Sequence, residues 1–80
     1  MDKIAAKLED CFRTVFRGLS SEDIRQASTL TMADWDSLSH VTLLTVIGET
    51  FDLDIDYEGF ADADSYALIS ERLRKRVRDA

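Results

Sequence analysis

The chain has 80 residues, of which 45% are hydrophobic and 32% charged, with three Gly and no Pro, a composition that leaves room for one small packed domain and excludes fibrous or disordered organisation. Cys11 is the lone cysteine and His40 the lone histidine, which excludes an intrachain disulfide and a structural zinc site. The net charge of −6 is concentrated: residues 1–25 balance five acidic against five basic side chains, residues 26–71 hold ten acidic and no Lys or Arg, and residues 72–80 hold five basic and one acidic, so the centre of the chain repels nucleic acid and attracts basic protein surfaces.

Met1-Asp2-Lys3 runs into a charged amphipathic stretch instead of the apolar core of a secretory leader, and no segment approaches the roughly 20 apolar residues of a membrane span. A cytoplasmic monomer is therefore expected, with stability of roughly 3 to 5 kcal/mol for a core of this size. Ile4, Leu8, Cys11, Phe12, Val15, Phe16 and Leu19 recur at spacings of three and four, which predicts an amphipathic helix ending near Arg17, ahead of Gly18. Cys11 falls on its apolar face and is expected to be an inert buried thiol.

From Leu19 to Trp35 the periodicity fails. Ser20-Ser21-Glu22-Asp23 can start a helical turn, but the segment reads as a long ordered loop pinned by Ile24, Leu30, Met32 and Trp35. Asp36 then has the character of an N-cap, followed by a helix through Leu38, Val41, Leu44, Ile47 and Phe51. Gly48 and the β-branched residues lower its intrinsic propensity, so packing must hold it. Phe51 to Asp56 alternates like a strand but has no partner strand, and reads as a connection that drops Leu53 or Ile55 into the core. Tyr57 to Asp62 suits a short helix, and Asp64-Ser65 caps a last one carrying Tyr66, Ile69, Leu73 and Val77 on one face. Its Arg and Lys cluster complements the negative end of that helix. The expected fold is all-α, a small four-helix bundle of three long helices and one short, with a long loop between the first and second.

Trp35-Asp36-Ser37-Leu38 is the chemically distinctive stretch. Ser37 falls at the first position of a helix after a long loop, where free amides and the positive dipole end favour an attached phosphate. Asp36 offers one carboxylate toward a divalent cation, an incomplete site that a partner enzyme must finish. His40, one turn on, faces either solvent or the base of such a group, and the solvated position is expected. A hydrolase triad of Ser37, His40 and Asp36 fails because adjacent side chains diverge, so Asp36 cannot orient the imidazole. A calcium loop beginning at Asp52, Asp54 and Asp56 fails at its sixth position, Tyr57, and its twelfth, Ala63.

Asp-Ser-Leu at the head of an amphipathic helix, Phe-Asp-x-Asp-Ile after it and Ser-Tyr-x-Leu-Ile opening the last helix together resemble the acyl carrier protein family over most of residues 1–80. The resemblance implies a single carrier domain without catalysis of its own. It places a 4'-phosphopantetheine arm on Ser37, transferred from coenzyme A by a phosphopantetheinyl transferase, and makes Asp36, Leu38, Glu49, Asp52, Asp54 and Asp56 the docking surface for acyl-loading and acyl-processing enzymes with basic patches. Trp35 stands where the family often has Gly, and Thr42 and Gly48 where fatty-acid carriers usually place carboxylates, which implies a specialised pathway. An unmodified acidic interaction module is the alternative.

Overall fold

The computed structural model describes residues 3–79; Met1, Asp2 and Ala80 lie outside it, as do the side chains of Arg78 and Asp79. Five helices follow in order, α1 (Lys3–Val15), α2 (Ser21–Arg25), α3 (Ser37–Phe51), α4 (Tyr57–Phe60) and α5 (Tyr66–Asp79), and the described residues contain no strand. The architecture is all-α, with three long helices and two short ones.

Leu8, Cys11 and Phe12 put the buried stripe of α1 against α3. The helix stops at Val15, two residues before the sequence expectation, and Gly18 turns the chain at φ +86°, a left-handed conformation that glycine adopts without a Cβ clash. Burial pushes the Cys11 thiol pKa above its ordinary value, consistent with an unreactive core position.

The segment expected to be one long loop is broken by α2. Ser20 and Asp23 form a reciprocal capping box, which satisfies two backbone amides, and Ile24 is sealed in the core. Glu9, a charged residue between the apolar positions of α1, is only 2% exposed. Its Oε1 lies 3.4 Å from Arg13, while Oε2 is buried without a hydrogen-bond partner and stands 3.9 Å from Arg25 of α2. Of the residues expected to pin the loop, Met32 and Trp35 pack against the core, whereas Leu30 is 94% exposed. Backbone bonds hold this region where the missing apolar contact does not: Thr29 N–H donates to the Asp64 carbonyl at 2.9 Å, Tyr66 N–H to the Ala27 carbonyl at 3.0 Å, and Ser28 and Ser65 form an isolated antiparallel bridge.

Phe12 is the hub of the core. Its ring meets Trp35 edge-on at 5.4 Å and Tyr66 at 5.4 Å, with Phe16 at 6.2 Å, arrangements that suit the aromatic quadrupole. Leu43, Ile47, Ile69 and Leu73 complete it from α3 and α5.

Asp52 closes α3 in the left-handed region at φ 54°, and its N–H and that of Leu53 both reach the Gly48 carbonyl. This turn folds Leu53 and Ile55 back onto the helix, where both are partly buried. Gly48 permits the approach: a Cβ there would lie 3.1 Å from the Leu53 carbonyl oxygen and 3.4 Å from Ile55 Cγ1. Gly48→Ala gains roughly 1 kcal/mol of helix propensity but forces apart backbone tied by the 2.9 Å Leu53 bond, and overpacking costs roughly 1 to 3 kcal/mol. A net loss of about 1 kcal/mol is expected, and a urea midpoint above wild type would show that the connection yields freely.

Candidate functional site: the head of α3 and the groove beside it

Asp36 starts α3. Its backbone is extended and its carboxylate accepts the Ser39 amide at 2.9 Å, and these amide bonds hold its pKa below the ordinary carboxylate value. It is therefore ionised at neutral pH and neighbours the positive end of the helix. Ser37 is the first helical residue and is exposed, as are Asp36 before it and Leu38 after it. Leu38 is 77% exposed and Val41, one turn on, 43%, so α3 presents an apolar strip to solvent at the end that carries Ser37.

A cavity of about 250 Å³ opens beside Ser37, between Trp35, Asp36, His40, Tyr57 and Asp64. His40 overturns the expectation of a solvated side chain, being 7% exposed. The Trp35 indole N–H donates to its Nδ1 at 3.1 Å, and its Nε2 lies 2.9 Å from the Phe60 carbonyl oxygen. Indole nitrogen only donates, so Nδ1 accepts, and the proton sits on Nε2 and is given to Phe60. Both ring nitrogens are thereby engaged, and in this arrangement the imidazole has no lone pair to offer the Ser37 hydroxyl. The residue instead joins α3 to α4 and to Trp35, two positions ahead of Ser37.

The other concavity lies along α3. Val41, Leu44, Gly48, Leu53, Ile55 and Tyr57 line a groove of about 420 Å³, with Glu49 and Asp52 also on its wall. The sequence pointed to Glu49, Asp52, Asp54 and Asp56 as docking residues, and all four are exposed. They fall on the C-terminal part of α3 and the segment after it, whereas Asp36 and Leu38 lie at its start. Asp56 is also bound locally, since it caps α4, accepting the Glu58 amide at 3.1 Å, and faces Arg76 at 3.7 Å. Sequence reasoning missed the groove wall formed by Leu53, Ile55 and Tyr57 and the buried bonds of His40. The alternation of Leu53 and Ile55 was the available signal for the first.

Among the described residues no three His, Cys, Asp or Glu side chains converge as metal ligands, and no helix is long and apolar enough to cross a membrane. Compared with family models, curated proteins and solved structures, the chain matches none.

Proposed function

We propose that the protein is an acyl carrier, with Ser37 as the attachment point for 4'-phosphopantetheine. The observation that carries this reading is an exposed serine hydroxyl at the positive end of α3, capped by Asp36 and flanked by a cavity and an apolar groove. The all-α architecture is compatible with this reading, although α2 gives it five helices where four were expected. The setting consistent with the reading is a cytoplasmic monomer.

Ser37 would hold the arm as a phosphodiester through its Oγ, taken from coenzyme A with release of 3',5'-ADP and loss of the hydroxyl proton to a base on the transferase. When bound, the arm supplies a thiol on a flexible chain, on which acyl groups are held as thioesters. The chain's own residues do the rest: Asp36 fixes the first turn of α3, the groove lined by Val41, Leu44, Leu53 and Ile55 shelters apolar cargo, and Leu38 meets the partner enzyme. Glu49 and Asp52 support the docking role by their position. Both lie at the negative end of α3, which has no basic residue in its last turn, and there a carboxylate opposes the helix dipole. Asp52 also serves the left-handed turn that ends the helix, whereas helix stability gives no reason for Glu49 and a basic partner does.

Incubation with coenzyme A and a phosphopantetheinyl transferase, read by intact mass, tests the proposal. One arm on wild type and none on Ser37→Ala is the expected result. No addition to either protein overturns it and leaves an unmodified acidic interaction module, to which the exposed pair Leu38 and Val41 would be central.

A further inference from the structure

The basic residues of α5 do not all serve the helix dipole. Lys75 turns to Glu71 of its own helix at 3.8 Å, and Arg74 Nε donates to Ser70 Oγ at 3.3 Å. Arg72 and Arg76, one turn apart, reach across to α4. Arg72 Nη1 donates to the Gly59 carbonyl at 3.0 Å and pairs with Asp62. Arg76 Nη2 lies 3.7 Å from Asp56, and its guanidinium sits 5.7 Å from the centroid of the Phe60 ring. The contacts span α4 from its N-cap to just beyond its end. Gly59 leaves space for them, since a Cβ there would stand 3.2 Å from Arg76 Nη2 and 3.1 Å from Asp56 Oδ2.

Four residues cannot hold a helix by themselves, so α4 stays where its neighbours keep it. His40 binds its last carbonyl from the α3 side, and the two arginines grip it from the α5 side. Tyr57, the first residue of α4, lines the groove. We propose that Arg72 and Arg76 are positioning residues that latch α4 to α5 and so set how far the groove along α3 stands open. Their partners are largely exposed, Asp62 at 80% and Asp56 at 55%, so the pairs are screened by salt and yield readily. Phe60 and its bond to His40 are buried and hold the end of α4, so the solvated pairs govern the freedom of the rest of it, including Tyr57 on the groove wall. What enters the groove rests on the carrier reading, whereas the latch itself does not.

The test uses the unmodified protein. Amide hydrogen exchange across residues 57–62 should be several-fold faster in an Arg72→Ala, Arg76→Ala double variant than in wild type, with α1 amides unchanged. Binding of the neutral apolar dye Nile red should rise with it. Wild type should approach the variant in about 1 M salt, where the Debye length is about 3 Å. Lys75→Ala should behave as wild type, and Arg72→Lys, Arg76→Lys should recover part of the protection. Equal exchange at residues 57–62 in wild type and double variant would overturn the proposal, as would an equal rise in Lys75→Ala or a matching rise in α1. Because no arm is required, failure here leaves the carrier reading standing, and failure of arm attachment leaves the latch standing.

Discussion

Phe12→Ala is expected to leave most of the protein unfolded at 25 °C. The ring is fully buried and touches Trp35, Tyr66 and Phe16, so truncation removes contacts to α1, to the loop before α3 and to α5 at once. Phe→Ala in a core costs roughly 3 to 5 kcal/mol, and a domain of this size has roughly that much stability in total. Nothing else staples it, since Cys11 is unpaired. Urea titration followed by circular dichroism should show a transition already under way without denaturant. Phe12→Leu, which keeps most of the volume, should lose only about 1.5 kcal/mol or less and fold. A well-resolved native baseline for Phe12→Ala would mean that the aromatic cluster collapses around the void, and that the core is more plastic than its geometry implies.

The second large effect is expected at His40. Replacement by Ala strands two buried groups, the Trp35 indole N–H and the Phe60 carbonyl. An unsatisfied buried donor or acceptor costs roughly 1 to 3 kcal/mol each, so a loss of about 3 kcal/mol is expected, enough to weaken the fold severely. His40→Gln distinguishes hydrogen bonding from bulk, because the amide oxygen can accept from Trp35 while the amide nitrogen donates to Phe60. It should recover at least half of the loss. Fluorescence of Trp35, the single tryptophan, reads the unfolding transition in urea. If Gln and Ala destabilise equally, the two bonds contribute little and the imidazole acts only by filling space.

The sequence carried the long helices because their information is local. Apolar residues at spacings of three and four set α1 and α3, and Asp36 marked the start of α3 and therefore the position of Ser37. Elements decided by distant partners were not legible. His40 occupies a polar place in an apolar pattern, which reads as solvent; its partners lie five and twenty residues away, one of them a backbone carbonyl with no signature in sequence. The burial of Glu9 has no local signature either, since its approach to Arg25 depends on where α2 packs. The capping box of α2 was visible at Ser20 and Asp23, but five residues give too little periodicity to announce a helix. Leu30 erred in the opposite sense: an apolar side chain in a connection reads as an anchor, and here backbone bonds hold the loop while the side chain projects into water. At α5, charge near a helix end invited the dipole explanation, although Arg72 and Arg76 also have specific partners on α4 and beside it.

The pairing of Ser28 with Ser65 has a bearing on how the chain can be altered. Main-chain bonds on either side of it join residues 27–29 to residues 64–66, so the two halves of the polypeptide are sewn together through groups that side-chain truncation leaves in place. Leu30 protrudes immediately beyond the seam. Extra residues spliced in at that tip would lengthen an outward bend while the stitches on the near side stay fastened, which makes it the natural position for grafting a tag or a tether far along the chain from either terminus.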